Sequence, residues 1–574
     1  MSYLPETNKQ YYRYLSLLAI VILGIVSILG SGGGGDSTPP PPAAPSVIAV
    51  TPAENSDTAP VTTVVTAQFS ERMDSTTVDV NSFTLHDSSM MPVAGKVEYK
   101  GTYDGHDYVA VFTPIDPNDV NILKDLLVGE TYTARVTTAV TDIDGNPLAR
   151  DHVWSFQVAP AMTLVSTDGS DGTLLSSTSE DSAINQTGEY IVFTSVNTLV
   201  PNLPTGGIAQ VYRKNTITGK VEVVSTTSNN LTIADGPCST PRISDTGRFI
   251  VFASTAINLD PTISNPGGTN HIYRKDMRDG TINLLDVIHN NTTAAATGHS
   301  TQPDVSAQGN FVTFESTAEN LVSDDTNGFT DIFVVDPSGI IERVSVATSG
   351  NQSQNGNSFR PRISSDGQRI VFQSEASDLV AGDSGGHTDI LYRDRNATTT
   401  NFVSVDSNEN QANGNSLNAD ISADGNYVAF QSIATNLDTG DFNAKIDIFL
   451  RDLVNTTTTR ISVKSDGNET LNGDSTSPAI NTDGSYVAFI STANDLVSTD
   501  PNGTIADVFV RDTQAADSLK LLSVSLPWTN NQVSTQAAIS ADGRYISFTT
   551  PNKFDDDDIN GVNDIYRAYN ASLP

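Results

Sequence analysis

The amino-acid sequence predicts an all-β protein in which a β-sandwich is followed by a seven-bladed β-propeller. Seven similar segments recur over residues 160–574, and their turn glycines are separated by 59, 62, 58, 58, 59 and 59 residues. Apolar runs are short, and 41 glycines and 27 prolines supply many turns. Short strands at a regular spacing are typical of sheets repeated around an axis.

Residues 1–30 are predicted to be a signal peptide or an N-terminal anchor. Lys9 and Arg13 precede an apolar run over residues 15–29. A run of this length suits a signal peptide and is short for a membrane-spanning helix. Residues 31–45 are rich in glycine and proline and are predicted to be a spacer. We therefore expect export to the periplasm, the cell surface or the medium, with cleavage of the leader left open.

Residues 46–159 are predicted to form a β-sandwich. β-rich runs lie at 47–50, 62–69, 83–85, 108–112, 132–136 and 153–158, and turn signals such as Asp144-Gly145 separate them. About seven short strands in about 110 residues are typical of a sandwich. Trp154 and Phe156 lie two residues apart, so both should face the core.

The order of motifs in this unit resembles the bacterial Ig-like domain first named from an S-layer protein. The resemblance implies a spacer or binding module of an exported protein, without catalysis. It rests on Pro52, Phe69-Ser-Glu-Arg-Met73, Phe112-Thr-Pro114, Tyr132, Asp142-Ile-Asp-Gly-Asn-Pro147 and Trp154-Ser-Phe156.

Each repeat in residues 160–574 predicts four strands, which is one propeller blade. In the fourth copy, Arg362-Ile-Ser belongs to the inner strand and Asp366-Gly367 forms the hairpin turn. The second, third and fourth strands follow at 369–374, 389–394 and 402–405. The last copy has no fourth strand, whereas residues 163–167 resemble an unpaired one. We predict that this N-terminal strand completes the last blade and leaves no open edge.

The repeated core Ser-x-Asp-Gly-x-x-[Val/Ile]-x-Phe resembles the TolB-like, PD40 group of WD40-like propeller repeats. The resemblance covers roughly 415 residues. The loop between the second and third strands is longer than in TolB, so the resemblance does not imply a TolB-type partner.

The net charge of −36 excludes several function classes. It disfavours nucleic-acid binding and docking on anionic lipid, both of which need a basic surface. Membrane contact is expected only through the N-terminal segment if it is uncleaved. Cys238 is the only cysteine, so no intramolecular disulfide forms. The seven histidines are scattered, and neither a nucleophile elbow nor a sialidase Asp box is expected.

Recurring acidic loops ahead of the third strands are the candidate metal sites. They carry alternating Asp and Asn around a turn, which suits Ca²⁺ as a cofactor, although no loop matches a full EF-hand. The candidate ligands are Asp325, Asn327 and Asp331; Asp383 and Asp389; Asp441, Asn443 and Asp447; Asp500, Asn502 and Asp507; and Asp558, Asn560 and Asp564.

The alternative is that the acidic loops are structural. Asp and Asn stabilise turns through bonds from side chain to backbone, and a repeated loop repeats its turn chemistry. The Asp that begins each third strand would then hold a neighbouring segment. The first two repeats carry Gln210 and Asn270 at that place, so a metal role would not be uniform.

A second recurring motif, Asn-Gly-Asn/Asp-Ser, links one blade to the next. It occurs at 355–358, 413–416 and 472–475, and it predicts a turn with hydrogen bonds between blades.

These observations predict an exported, envelope-associated, non-enzymatic scaffold whose propeller binds a protein. The partner would be an envelope or extracellular protein, and the chain is expected to be a monomer. The alternative is a cell-surface protein that binds or cleaves a glycan, because acid pairs suited to hydrolase or lyase chemistry are not excluded by sequence. Exposed aromatic residues would favour a glycan, but Phe372, Phe430 and Phe489 fall at strand positions and are predicted to be core.

Overall fold

The computed structural model describes residues 44–570 except for 56–58, 60–63, 104–105, 117–118, 124–125, 127–129, 159–161, 168–176, 385, 465, 471, 499, 501–502, 516–518, 524–531, 553 and 555–560. The predicted leader and nearly all of the predicted spacer lie outside these residues. The described part contains strands and no helix, which confirms the all-β class. It therefore holds no helical segment able to span a bilayer.

The N-terminal unit is a sandwich of two antiparallel sheets. One sheet has the order β1-β2-β5-β4 with β6 paired to β5, and the other has the order β3-β7-β8. The strands are β1 (Val47–Thr51), β2 (Val65–Phe69), β3 (Phe83–His86), β4 (Gly95–Tyr103), β5 (His106–Asp116), β6 (Asp119–Leu123), β7 (Thr131–Val136) and β8 (His152–Gln157).

Aromatic side chains fill the space between the two sheets. The Phe83 ring lies 5.8 Å from Phe112 and 5.9 Å from Trp154, centroid to centroid. Trp154 and Phe156 are each only 1% exposed, as their spacing on one strand predicts. The sequence did not predict β4, because Lys96, Glu98 and Lys100 give this edge strand little apolar character.

The rest of the described chain forms seven four-stranded antiparallel sheets, numbered here as blades 1 to 7. A small hairpin, β18 (Val287–Ile288) and β19 (Asn291–Ala295), lies between blades 2 and 3. The blades contain β10–β13 (Ser179–Ile184, Tyr190–Ser195, Gln210–Asn215, Val221–Val223); β14–β17 (Cys238–Ile243, Phe249–Ser254, His271–Asp276, Ile282–Leu284); β20–β23 (Ser300–Val305, Val312–Ser316, Asp331–Val335, Ile341–Arg343); β24–β27 (Ser358–Ile363, Arg369–Ser374, Asp389–Asp394, Thr399–Phe402); β28–β31 (Ser416–Ile421, Tyr427–Ser432, Asp447–Asp452, Thr457–Arg460); β32–β35 (Ser475–Ile480, Tyr486–Ser491, Asp507–Asp512, Leu519–Leu521); and β36–β38 (Thr535–Ile539, Tyr545–Thr550, Asp564–Tyr569) with β9 (Met162–Leu164).

Blade 7 takes its outer strand from the N-terminal side of the propeller. β9 pairs antiparallel with β38, with Leu164 opposite Tyr566. The turns after the inner strands also bond from blade to blade. Gln186 N donates to Asp245 O (3.3 Å) in the next blade, and Ala541 N in blade 7 donates back to Gln186 O (3.0 Å). The succession of bonds therefore returns to blade 1.

The turn glycines are required by packing between blades. Gly309 has a φ of +74°, and a Cβ atom there would lie 2.2 Å from the Phe249 ring and 2.7 Å from Phe249 Cβ. An aromatic ring from the preceding blade covers six of the seven turn glycines, and Arg369 covers Gly425. The Asp-Gly turn and the residue that begins the second strand thus form one joint between neighbouring blades.

Candidate functional site

In each blade, the side chain of the first residue of the third strand is bonded to the residue two positions beyond the fourth strand, and we call this pair the strand pin. In blade 4, Ser404 Oγ donates to Asp389 Oδ1 (2.7 Å) and accepts from Ile390 N (3.1 Å). The same Asp–Ser pair occurs as Asp331–Ser345, Asp447–Ser462, Asp507–Ser523 and Asp564–Ser166.

Blades 1 and 2 build the strand pin from other residues. In blade 1, Ser225 Oγ donates to Gln210 Oε1 (2.7 Å). In blade 2, His271 Nδ1 and Asp286 Oδ2 lie 2.8 Å apart, and both side chains are fully buried. The sequence comparison that placed Asn270 here was wrong by one residue, because the loop before this strand differs in length. The strand register pairs His271 with Ser254.

In three blades, a single nitrogen donor bridges the loop carboxylate and the strand carboxylate, and we call it the clamp. In blade 4, Gln411 Nε2 donates to Asp383 Oδ1 (2.9 Å) and Asp389 Oδ2 (2.8 Å). In blades 3 and 5 the nitrogen comes from the last residue of the fourth strand, Arg343 or Arg460. Their Nη1 atoms lie 3.2 and 3.9 Å from Asp325 and Asp331, and 3.6 and 3.5 Å from Asp441 and Asp447.

Burial shifts the titration of these carboxyl groups upward. It raises the pKa of Asp325, Asp389 and Asp441 to about 6, against an ordinary value of 3.8. Burial also raises the pKa of Asp331 and Asp447, which the serine hydroxyls partly offset. Desolvation therefore outweighs the favourable effect of the clamp on the charged form.

The two described asparagines of the acidic loops are engaged in turns. Asn327 Nδ2 donates to Asp331 Oδ2 (2.9 Å), and its Oδ1 accepts from Phe329 N (2.9 Å). Asn443 Nδ2 donates to Thr470 O (3.1 Å).

Two further results bear on the calcium prediction without testing it. Asn502, Asp558 and Asn560 lie outside the described residues, and Asp500 accepts from Gly503 N (3.0 Å). Within the described segments, no three His, Cys, Asp or Glu residues are grouped as a metal site would require. Calcium binding by these loops therefore stays a prediction.

The Asn-Gly motif ties each connection between blades to the long loop of the following blade. Asn413 Nδ2 donates to Thr435 Oγ1 (3.1 Å), and Thr435 N donates to Asn413 Oδ1 (2.9 Å). Asn355 with Ser377 and Asn472 with Asn494 are joined in the same way. The predicted bond between blades is made by the third residue of the motif, because Asn415 Oδ1 accepts from Thr388 N (3.0 Å) of blade 4. The long loops and these connections together form one end of the propeller, which we call the loop face.

Apolar side chains on the loop face are few and separate. Phe442 is 82% exposed and Ile257 is 51% exposed. By contrast, Phe372, Phe430 and Phe489 are fully buried, as predicted.

One loop contains a glycine-x-serine-x-glycine spacing that the sequence analysis overlooked. It spans residues 382–386 in the acidic loop of blade 4. Ser384 Oγ donates to Gln411 Oε1 (2.9 Å), and no helix follows in the described chain. This segment is a bonded loop and not a nucleophile elbow.

The inner strands carry a feature that the sequence analysis missed. Each has a β-bulge, at its third residue in blades 1 to 6 and at its second residue in blade 7, and that residue adopts a φ between +47° and +56°. Such a backbone is uncommon outside glycine and re-aims the neighbouring side chains. The seven residues are Asp181, Thr240, Gln302, Arg360, Asn418, Ser477 and Gln536.

These residues and the residue two positions after each of them, which is the fifth residue of the inner strand in blades 1 to 6 and Ala538 in blade 7, line a central channel with a cavity of about 330 Å³. The fifth residues of blades 2 to 5 alternate in charge, as Arg242, Asp304, Arg362 and Asp420. The residues at this position in blades 6, 7 and 1 are alanines. Comparing this one position across the seven repeats would have revealed the charges from sequence.

The described chain is therefore a β-sandwich joined to a β-propeller. Residues 42–158 match the family model of the bacterial Ig-like domain, in agreement with the sequence resemblance. No curated protein matches the chain in sequence.

Solved propellers resemble the rest of the chain in fold. TolB from Acinetobacter baumannii is 13% identical, with 69% of this chain and 77% of that chain covered and a TM-score of 0.34. An oligogalacturonate lyase from Vibrio parahaemolyticus is 14% identical, with 71% and 93% covered and a TM-score of 0.43. The propeller domain of the Trilobed protease from Pyrococcus furiosus is 13% identical, with 56% and 80% covered and a TM-score of 0.35. These likenesses show the fold alone.

Proposed function

We propose that this chain is an exported, envelope-associated binding protein without enzymatic activity, and that its loop face binds a protein partner. The observation that carries the proposal is the hydrogen bonding of the loop face. Asn355, Asn413 and Asn472 each fix the following long loop by side-chain bonds. A surface held rigid before binding loses little conformational entropy on binding.

The chemistry of the loop face favours a protein. Phe442 is an exposed apolar side chain among polar loops, which is the arrangement of an interface anchor within a polar rim. The net charge of −36 favours a partner that presents a basic surface.

The carboxyl groups that begin the third strands of blades 4 and 5, whose pKa values are raised, already have structural partners. Asp389 accepts from Ser404 and Gln411, and Asp447 accepts from Ser462 and Arg460. These contacts support a role for the acidic loops in holding the blades, which is why we propose binding and not catalysis.

Crosslinking to native envelopes tests the proposal. The tagged full chain is crosslinked, recovered and compared with Phe442→Ser and with Ile340→Ser. Ile340 is a matched control, because it is 64% exposed at the opposite end of a third strand. We expect one stoichiometric protein, with recovery reduced by Phe442→Ser alone. Recovery of polysaccharide only, especially if it is shortened on incubation, would overturn the proposal in favour of a glycan-directed role.

A further inference from the structure

Of the three arginines in the central channel, Arg360 donates to Asn418 Oδ1 (2.6 Å), whereas Arg242 and Arg362 have few partners in the propeller. Arg242 Nη1 donates to Pro241 O (2.9 Å), and Arg362 Nη1 donates to Pro361 O (2.9 Å). Within the described chain, no carboxylate forms an ion pair with Arg242, and Arg362 Nε lies 3.9 Å from Asp420 Oδ1. Each guanidinium has five N–H donors, so most of its bonding capacity is left for another acceptor.

The channel aspartates, in contrast, are bonded to neighbouring blades. Asp304 Oδ2 accepts from Ile363 N (3.0 Å), and Asp420 Oδ2 accepts from Ile480 N (2.9 Å). These hydrogen bonds fix both carboxylates to the neighbouring blade. The negative charges of the aspartates therefore offset the positive charges of the arginines only at a distance.

The two arginines also oppose each other. Burial and the charge of Arg362 together lower the pKa of Arg242 to about 10, while the carboxylates of Asp304, Asp181 and Asp420 act in the opposite direction. The channel lining holds three arginines (Arg242, Arg360 and Arg362) and three aspartates (Asp181, Asp304 and Asp420), so a ligand carboxylate would bind at the side where Arg242 and Arg362 adjoin.

The opposite wall leaves room for a ligand. Ala479, Ala538 and Ala183 occupy the positions that carry charges in the other four blades. The resulting cavity of about 330 Å³ is within the size range of small-molecule pockets. A wall that is charged on one side and small on the other therefore forms an asymmetric pocket inside a near-symmetric ring.

We propose that the central channel binds a small hydroxylated carboxylate, with its carboxylate on Arg242 and Arg362. Guanidinium groups match carboxylates in geometry and can bond to them through two parallel N–H groups. Asp304 and Asp420 supply acceptors for the hydroxyl groups of the ligand and disfavour a second carboxylate beside them. This site is separate from the loop face, so its failure leaves the proposed protein-binding role untouched.

Calorimetric titration of the full chain tests this site, with gluconate as the probe and sorbitol as its neutral counterpart. We expect gluconate to bind at low salt and sorbitol to give no heat. Arg242→Gln and Arg362→Gln should each weaken gluconate binding about tenfold or more, because each removes charge-assisted hydrogen bonds. Arg248→Gln is the matched control for net charge, since Arg248 pairs with Asp276 away from the channel.

Two further measurements separate binding from folding. Arg242→Lys keeps the positive charge but loses the planar guanidinium that can form two parallel hydrogen bonds. The variant should therefore have the melting temperature of the native chain and still bind gluconate more weakly. Absence of gluconate heat in the native chain, equal binding by sorbitol, or tighter binding of sulfate would each overturn the carboxylate assignment. Unchanged gluconate affinity in folded Arg242→Gln would overturn it as well.

Discussion

The outer edge of the propeller and its central channel use the same seven-fold repeat in opposite ways. At the outer edge, a strand pin recurs in each blade, and even the exchange to His271 and Asp286 keeps the bond. In the channel, the fifth position of the inner strand changes from arginine to aspartate to alanine. Residues that recur in every blade hold the blades together. Residues that differ between blades at an equivalent position are not explained by that structural role.

The acidic loops belong to the recurring class. Their carboxylates bond to serines, and arginine or glutamine clamps bridge them in blades 3, 4 and 5. The sequence predicted a binding site in the acidic loops. The candidate ligand site that breaks the repeat pattern is instead the central channel, which the sequence did not predict.

The largest effect should come from the joints between blades. Gly309→Ala should lower the free energy of unfolding by about 4 kcal/mol, because the new Cβ meets Phe249 and the φ of +74° is strained for alanine. Gly339→Ala shares the strain, with a φ of +79°, and meets nothing within 4 Å. It should lose only about 1 kcal/mol. Equal losses in urea unfolding would show that packing between blades does not matter.

The next effect should come from a clamp. Arg460→Gln should lower the free energy of unfolding by about 3 kcal/mol, because it leaves Asp441 and Asp447 buried without a cation. The same variant sharpens the calcium question. With Arg460 absent, Asp438 and Glu469 are also released, and Ca²⁺ should raise the melting temperature of the variant more than that of the native chain. An equal rise in melting temperature with Ca²⁺ in both proteins would contradict the claim that Arg460 occupies the space between these carboxylates.

A smaller effect is expected at the exchanged pin of blade 2. His271→Asp places two carboxylates together and Asp286→Ser removes the acceptor, so each change alone should destabilise. The double variant recreates the Asp–Ser pin of the later blades and should recover about 1 to 3 kcal/mol relative to the sum of the single losses. If a double-mutant cycle measured by thermal unfolding gave additive losses, the two residues would not be energetically coupled.

Acid should stabilise the clamps slightly. Asp325, Asp389 and Asp441 have folded-state pKa values near 6, above their ordinary value of 3.8. Between about pH 6 and pH 4 the folded chain therefore binds more protons than the unfolded chain, so these groups add stability as the pH falls. Urea midpoints at pH 7 and pH 5 measure the change, and Asp441→Asn should reduce it. A gain undiminished by that substitution would assign the effect to other groups.

Much of the fold could be predicted from sequence because its causes are local and repeated. The Asp-Gly turns, the strands at 369–374 and 389–394 and the pairing of β9 with the last blade all follow from patterns within one repeat. The inner strand was predicted too short, since its bulge at Arg360 breaks the alternation of side chains.

The candidate sites were harder because they depend on contacts between repeats. That Arg460 lies beside Asp441 and Asp447 requires the fold of the loop and the following strand together. The channel combines one residue from each of seven segments about 59 residues apart, so no local motif marks it.

The same substitution at two arginines tests the contrast between edge and channel most directly. Urea unfolding of Arg460→Gln and Arg242→Gln is measured side by side with the native chain. We predict a loss of about 3 kcal/mol for Arg460→Gln and a change within about 0.5 kcal/mol for Arg242→Gln, because among the described residues Arg242 forms no ion pair and its side chain bonds only to Pro241 O. Equal losses would contradict the account, because the channel arginine would then be structural.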